Sequence, residues 1–240
     1  MALDRGAGVA LWRQIAEMLE QEIGRRAYGA TGRLPTETEF AARFGVNRHT
    51  VRRAVAWLEE QGLVRIEQGR GTFVQDSVIG YRVGKRTRFS ENIQRMQMTP
   101  SGELIGALKE PADATVAKAL GLRSGSPVVR VETRMRADGQ VVSLGVHYFS
   151  HRRFPDLIEV FGQEGTVTKT FRRYGIEDYT RKITRITARL PHADEIRHLE
   201  IPKSRPVLVS EAINVDADDR PLEYGIARFA ADRVQLVIES

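Results

Sequence analysis

The sequence predicts an α+β protein in two domains, a winged helix-turn-helix over residues 1–75 and a larger α+β domain over residues 88–240. The first prediction rests on the basic run GVNRHTVRRA at residues 45–54 and the glycine-rich run GRGTFV at residues 69–74. The second rests on a helix, strand, turn and strand pattern that occurs twice, about 79 residues apart. At 240 residues the chain is long enough for each domain to bury its own core.

Composition limits the chemistry that the chain can perform. Its formal net charge of +6 at pH 7 favours a polyanionic partner, although charge alone fits a solvated basic surface equally well. The absence of cysteine excludes disulfides, thiolate metal ligands and thiol catalysis. The chain has no apolar run of about 18 residues and no charged-then-apolar leader. We therefore expect a cytoplasmic protein that does not associate with membranes.

Three helices and a hairpin are predicted in the first domain. A capping box of Thr36 and Glu39 begins a helix of about eight residues. Asn47 caps the next helix, and residues 64–74 form a hairpin. An amphipathic helix over residues 11–26 precedes both, because apolar residues recur there at helical spacing: Leu11, Ile15, Met18, Leu19 and Ile23. Three helices followed by a hairpin define a winged helix-turn-helix.

The third helix presents cations on one face and apolar side chains on the other. Arg48 and Arg52 are about one turn apart, whereas Val51, Val55 and Leu58 occupy the opposite face. A guanidinium bonds guanine edges or phosphates through two parallel donors, which a lysine ammonium cannot do. Taken singly, these features fit an exposed helix or a plain hairpin turn. Together with the basic charge they predict binding to duplex DNA.

The second domain follows a polar segment without periodicity at residues 76–87, which predicts a linker. Two copies of one pattern come after it, and their duplication predicts a single α+β sheet with helices on one face. The predicted elements are strands at 104–108, 128–135, 141–149, 179–189, 206–215 and 222–229, and helices at 113–120, 166–174 and 193–199.

The motifs of the first domain resemble those of the GntR family of bacterial transcription regulators. The resemblance is carried by LPTETEFA at residues 34–41, RHTVRRA at 48–54 and QGRGTFV at 68–74. It implies that DNA contacts come from the second helix, the recognition helix and the wing: Thr38, Asn47, Arg48, His49, Thr50, Arg52, Gln68, Gly69 and Arg70. Thr38 stands where relatives often have arginine, and Arg70 at the wing tip could reach the minor groove.

The second domain resembles the ligand-sensing (UTRA) domain of the HutC branch of that family, whose fold is similar to chorismate lyase. The motifs are RFS at residues 88–90, RMRADG at 134–139 and PLEY at 221–224. Within the branch the chain is most similar to regulators of phosphonate utilisation. The resemblance implies a pocket for an anionic effector such as phosphate, sulfate or a phosphonate, formed by Arg88, Phe89, Ser90, Arg134, Arg136, Thr166, Thr168 and Glu223.

Two interpretations of the arginine-rich strand stay open at this point. Arg134 and Arg136 share one face of the strand because side chains alternate, and spacing alone favours a solvated outer face. The resemblance favours an oxyanion site, because planar guanidinium forks match a tetrahedral anion. In relatives the acid at Glu223 holds sugar hydroxyls or an amine. Thr168 and Phe229 replace the aromatic hydroxyls of amino-sugar sensors, which argues against an amino-sugar effector.

The sequence indicates no metal, cofactor or catalytic site. His147 and His151 lie four apart in a predicted strand, where their rings do not converge, and His192 and His198 have no partner at a recognised ligand spacing. No nucleophile motif, phosphate loop or acid–base pair is visible. We expect a homodimeric repressor on an inverted-repeat operator. The alternatives are a constitutive DNA-binding dimer and a lyase-like enzyme fused to a DNA-binding domain.

Overall fold

The computed structural model of the chain describes residues 9–25, 27–29, 32–67, 69–75 and 78–238. The chain divides into two compact units, residues 1–77 and 78–240.

The first unit is a winged helix-turn-helix, as the sequence predicts. Two helices precede the recognition helix, and an antiparallel hairpin pairing Val64 with Val74 forms the wing. The elements are α1 (Leu11–Gly24), α2 (Glu37–Phe44), α3 (Arg48–Glu60), β1 (Val64–Glu67) and β2 (Gly71–Val74).

Side-chain caps fix the two ends of the helix-turn-helix. The backbone N–H of Thr36 donates to Oε2 of Glu39 at 2.6 Å, and the N–H of Glu39 donates to Oγ1 of Thr36 at 3.3 Å. Gly45 ends α2 in the left-handed region, with φ of 63°. Oδ1 of Asn47 then accepts from the backbone N–H of Thr50 at 2.9 Å and starts α3. Two caps and one glycine therefore set the turn between α2 and α3.

The core of the first unit lies between α1 and α3. Ile15 and Leu19 of α1 and Val51 and Leu58 of α3 are fully buried. Phe40 of α2 closes the same cluster. Because these positions lie three or four apart along their helices, the opposite faces remain in solvent. The polar face of α3 is therefore exposed to solvent.

The second unit is built on one six-stranded antiparallel sheet in the order β4-β5-β6-β9-β8-β7, with a separate two-stranded parallel sheet of β3 and β10. Its strands are β3 (Ile79–Arg82), β4 (Pro100–Pro111), β5 (Pro127–Ala137), β6 (Gln140–Ser150), β7 (Thr180–Arg189), β8 (Val207–Val215), β9 (Pro221–Ala230) and β10 (Val234–Val237). Its helices are α4 (Phe89–Arg95), α5 (Ala114–Leu120), α6 (Leu157–Glu164), α7 (Val167–Arg173) and α8 (Ala193–Leu199).

The strand order agrees with the predicted duplication. The first copy runs β4, α5, β5 and β6, and the second runs β7, α8, β8 and β9. Each copy contributes three adjacent strands, and the copies meet where β6 pairs with β9 in the middle of the sheet. The last strand of each copy is thus central and the first is an edge.

Helices cover both faces of the sheet, which corrects the prediction of helices on one face. Val129 of β5 packs with helices α6 and α7. The preceding residue, Val128, packs with α5. Leu199 of α8 packs against the same side of the sheet as α5, through Val207 and Val209 of β8. Since neighbouring side chains on a strand point to opposite faces, both faces are apolar and both need a cover.

The predicted linker at residues 76–87 is wrong over part of its length. Residues 79–82 form β3, in which Ile79 and Tyr81 are buried and pair in parallel with β10. The strand is four residues long and its partner lies at the far end of the chain, so no local pattern revealed it. Residues 76 and 77 lie outside the described part of the chain.

Replacing Asn47 by alanine should destabilise the first unit by about 1 kcal/mol, because it removes the acceptor that caps α3. Asn47→Asp keeps an acceptor and serves as the control. The only two tryptophans of the chain, Trp12 and Trp57, lie in this unit, so tryptophan fluorescence in urea reports its unfolding separately. Equal midpoints for the alanine variant and the wild type would show that the cap contributes nothing.

Candidate DNA-contacting surface and effector pocket

The exposed face of α3 carries the cations that the sequence assigns to DNA. Arg48, His49 and Arg52 are all exposed. Glu37 at the start of α2 accepts two hydrogen bonds from Arg52, at 3.0 and 2.8 Å, and lies 3.8 Å from Arg48. The hydrogen bond from Arg52 lowers the pKa of Glu37 below its usual range, so this carboxylate is ionised at neutral pH. Glu37 therefore holds two arginines side by side on the surface.

The remaining predicted contacts on the helices differ in how free their side chains are. Thr38 is exposed beside Glu37. Oδ1 of Asn47 is engaged by the backbone and the hydroxyl of Thr50, so these two side chains act first as a cap. Arg53 points elsewhere, because its guanidinium lies 4.7 Å from the centre of the Trp12 ring on α1.

The wing turn depends on two glycines with positive φ. Gly69 has φ of 74° and Gly71 has φ of 117°, and side chains are strained in both conformations. Arg70 lies exposed between them, with its guanidinium 2.7 Å from Glu67. Gln68, which the sequence also assigns to DNA, lies outside the described residues. The turn presents Arg70 at its tip, as the sequence predicts.

The second unit contains a cavity of about 520 Å³ between one face of the sheet and helices α4 and α7. This volume is typical of small-molecule sites. Six of the eight predicted effector residues line it: Arg88, Phe89, Ser90, Thr166, Thr168 and Glu223. We call this cavity the effector pocket.

Arg134 and Arg136 do not line the pocket, which corrects their assignment. Arg134 donates from Nε to Glu103 of the edge strand at 3.0 Å, and Arg136 donates to the backbone oxygen of Gly139 at 2.8 Å. Thr133 and Met135 take the pocket-facing positions instead. The physical reason is the two-residue period of the strand: the arginines project toward the α8 side of the sheet, the outer-face alternative.

A row of polar side chains crosses the floor of the pocket. Asn214 of β8 is the cross-strand partner of both Arg181 on β7 and Glu223 on β9. Nδ2 of Asn214 donates to Oε2 of Glu223 at 2.5 Å, and Oε1 of Glu223 lies 2.5 Å from Nδ1 of His147. Nε2 of His147 lies 3.2 Å from Oγ1 of Thr133 on β5. These five residues, which we call the polar row, span five of the six strands.

Glu223 is the charged centre of the polar row and only 3% exposed. Burial raises its pKa, but the hydrogen bond and charge of His147, the amide of Asn214 and the charge of Arg181 outweigh burial and leave the pKa below its usual range. Because an ionised carboxylate can only accept, Nδ1 of His147 must carry the proton between them. In the neutral ring, Nε2 then accepts from the Thr133 hydroxyl.

Besides the exposed Lys169, Arg181 is the cation of the pocket whose side chain holds no partner within the described residues. Within the described residues its guanidinium makes no hydrogen bond or ion pair, and its Nε is buried without an acceptor. Arg88 differs, because its guanidinium lies 3.4 Å from the ring centre of Tyr179 and donates to the backbone oxygen of Tyr179 at 2.7 Å. Arg88 therefore belongs to the wall, and Arg181 is the guanidinium that an anion can engage.

Two hydroxyls of the predicted site are already hydrogen-bonded within the protein. Oγ1 of Thr166 accepts from the backbone N–H of Lys169 at 3.3 Å and caps this helix. Oγ1 of Thr168 lies 2.9 Å from the phenol oxygen of Tyr179. Both line the pocket, and both orient its rim.

Sequence reasoning missed most of the polar row. The sequence indicates no binding role for His147, yet it forms an acid–base pair with Glu223, its partner from a strand in the other copy. A signal was present in the glycines beside them. A Cβ at Gly145 would lie 2.5 Å from Nε2 of His147, and one at Gly225 would lie 3.0 Å from Oε1 of Glu223. The two glycines make room for the pair.

The described part of the chain shows neither a metal-binding cluster nor a membrane-spanning helix. They contain no group of three or more histidine, aspartate or glutamate residues arranged to hold a metal ion. No helix within the described ranges has the length and apolar character needed to cross a membrane.

Comparison with known proteins agrees with the two-unit architecture. Residues 11–74 match the bacterial regulatory proteins of the gntR family, and residues 95–235 match the UTRA domain. The chain is 43% identical to an uncharacterized HTH-type transcriptional regulator of Rhizobium meliloti (strain 1021), over 99% of this chain and 98% of that protein. It is 34% identical to the probable transcriptional regulator PhnF of Escherichia coli (strain K12), over 95% and 94%.

A solved structure also shows the similarity to PhnF. The crystal structure of PhnF from Mycobacterium smegmatis superposes with a TM-score of 0.65 at 28% identity, covering 92% of this chain and 98% of that one. A winged helix-turn-helix joined to a domain with a pocket of small-molecule size defines a DNA-binding transcriptional regulator with an effector domain. The chain belongs to the GntR family, is of its HutC type with a UTRA domain, and is similar to PhnF.

Replacing Gly145 by alanine should destabilise the second unit by about 1 to 3 kcal/mol, because the new Cβ would lie 2.5 Å from Nε2 of His147 and 2.6 Å from Oγ1 of Thr133. Gly106→Ala is the matched control, because Gly106 is also a strand glycine but has open space around its Cβ position. Urea denaturation followed by far-ultraviolet circular dichroism compares the variants. Equal midpoints for the two variants would contradict the close approach of the His147 and Thr133 side chains to Gly145.

Proposed function

We propose that the protein is a cytoplasmic, homodimeric repressor that leaves an inverted-repeat operator when a small anionic effector binds the effector pocket. The effector is a phosphonate, phosphate or organophosphate, and the regulated genes serve phosphonate or organophosphate metabolism. The observation that carries the proposal is the guanidinium of Arg181, which lines the pocket and lacks a partner within the described residues. The half-buried guanidinium has a buried Nε without an acceptor, and a tetrahedral oxyanion fits its planar fork.

Relatives support the direction of regulation and the effector class. PhnF of Mycolicibacterium smegmatis, 30% identical over 83% of this chain and 81% of its own length, is named a transcriptional repressor. The motifs of this chain resemble those of the phosphonate-utilisation regulators, of which PhnF is the type. Both features favour repression and a phosphorus-containing effector.

In this proposal the operator is bound by the exposed faces of α2, α3 and the wing. Arg48 and Arg52 enter the major groove, where Glu37 keeps both guanidinium groups on one surface that faces base edges or phosphates. Arg70 reaches the neighbouring minor groove from the wing tip. The other assigned contacts, Thr38, Asn47, His49, Thr50, Gln68 and Gly69, surround these three arginines. A twofold dimer pairs two such surfaces with the two half-sites of an inverted repeat.

Effector control follows from a shift between two populations of the dimer. A ligand moves such an equilibrium only as far as its affinity differs between the two states. Release therefore requires that the effector bind the DNA-free state more tightly by a few kcal/mol. Arg181, with Arg88 in the adjoining wall, supplies the positive charge that attracts the anion.

Arg52→Ala should weaken operator binding by about 1 to 3 kcal/mol at fixed salt and leave effector affinity unchanged. Arg53→Ala is the matched control, because it removes an equal charge from the next position of the same helix, where the side chain stacks on Trp12. Fluorescence anisotropy of a labelled duplex from upstream of the gene measures both. Equal losses for the two variants would mean that only overall charge matters and that α3 does not enter the groove as proposed.

Arg181→Gln should abolish release of the operator by effector while the free protein still binds DNA, because the change removes the guanidinium that meets the anion. Arg134→Gln, on the opposite face of the sheet, should respond as the wild type does. The assay is the same anisotropy titration, extended with phosphate, alkylphosphonates and phosphosugars. A normal response of Arg181→Gln together with a lost response of Arg134→Gln would reverse the assignment of the pocket face.

A further inference from the structure

Tyr81 brings a further hydroxyl to the effector pocket. The residue lies on β3, outside the six-stranded sheet, and its side chain lines the pocket although the residue is only 6% exposed. Two aromatic neighbours hold its ring, with ring centres 4.9 Å away at Phe229 and 6.2 Å away at Phe89. This packing fixes the phenol at the pocket wall.

The hydroxyl of Tyr81 makes no hydrogen bond within the described residues. It differs from the hydroxyl of Thr170, which is sealed off without a partner, because the Tyr81 oxygen keeps accessible surface. A tyrosine whose ring is buried usually has a partner for its hydroxyl. Tyr179, which also lines the pocket, has one in Thr168 at 2.9 Å. The Tyr81 hydroxyl is therefore a group that a ligand in the pocket can reach.

The surroundings of this hydroxyl suit it to an anion. Burial, helped by the charge of Glu223, raises the pKa of Tyr81 to about 12 against the opposing charges of Arg181 and Arg88. At neutral pH the hydroxyl therefore keeps its proton and can donate. The two guanidinium groups make the region positive, and a hydroxyl bonds an anion more strongly than a neutral acceptor.

The strand that carries Tyr81 is held on both sides. Tyr81 is the register partner of Leu236 on β10. Asn92 of α4 binds both backbone groups of Arg82, the next residue of β3. Oδ1 of Asn92 accepts from the N–H of Arg82 at 2.8 Å, and Nδ2 donates to the backbone oxygen of Arg82 at 3.2 Å. Since α4 also lines the pocket, β3 and the pocket wall are joined by this amide.

We propose that Tyr81 is a direct effector contact, whose hydroxyl donates a hydrogen bond to the anion that Arg181 engages. This inference rests on the proposed function for the anion and adds a binding residue to it. Tyr81 lies four residues after residue 77, where the first unit ends, and is nearer to that unit in sequence than any other described residue of the pocket. Through Tyr81 the effector contacts the strand with which the second unit begins.

The test is isothermal titration calorimetry of the full-length protein with inorganic phosphate and with ethylphosphonate, at fixed salt and pH 7. Both ligands should bind Tyr81→Phe about tenfold more weakly than the wild type, because one hydrogen bond to a charged group is lost while the ring is kept. Release of the operator, followed by fluorescence anisotropy, should need a correspondingly higher ligand concentration.

Tyr224→Phe is the matched control. Tyr224 is similarly buried, but it packs with α5 on the opposite face of the sheet, and its hydroxyl donates to Glu211 at 3.1 Å. Both affinities should stay at the wild-type value in this variant. Urea denaturation followed by far-ultraviolet circular dichroism gives a second measurement. Tyr81→Phe should unfold at the wild-type midpoint, because the lost hydroxyl bonds no described protein group.

The outcomes separate this inference from the proposal beneath it. Wild-type affinities in Tyr81→Phe would overturn the contact and leave an anion-responsive regulator. A lower urea midpoint with unchanged affinities would give the hydroxyl a structural role instead. Equal weakening in Tyr81→Phe and Tyr224→Phe would also overturn the contact, because the loss would not belong to the pocket face. Failure of the wild type to bind phosphate and ethylphosphonate would overturn the anionic effector and this inference together.

Discussion

A buried negative charge in the middle of an antiparallel sheet is the constraint on which the second unit depends. Glu223 is tolerated there because His147 and Asn214 each bond one of its oxygens. Those partners fit only because Gly145 and Gly225, on the central strands, carry no side chain. Polar side chains therefore replace apolar packing at the centre of the sheet, and they form the floor of the effector pocket.

Carboxylates also organise the cations of the first unit. Glu37 holds the guanidinium groups of Arg48 and Arg52 on one exposed surface, and it does so with a carboxylate on a different helix. An ion pair at this exposure contributes little to stability. In the proposed operator complex, its effect is to hold both arginines on one exposed surface before DNA binds. In the effector pocket the opposite holds, because Arg181 has no such carboxylate within the described residues and remains available to a ligand.

The sequence predicted the elements whose determinants are local. The cap at Asn47 and the alternation of β5 lie within a few residues of the structures they specify, and both were predicted correctly. Pairings between distant segments were not, so β3 with β10 and His147 with Glu223 were missed. Arg134 was misplaced for another reason. A resemblance transfers residue types, whereas the two-residue period of the strand decides which of them face the pocket.

The most direct test of this account is a crystal structure of the full-length protein with a bound phosphonate, because it shows which face of the sheet meets the effector. The account predicts the phosphonate oxygens within hydrogen-bond distance of the Arg181 guanidinium, above the polar row. A phosphonate held between Arg134 and Arg136, on the α8 side of the sheet, would contradict it.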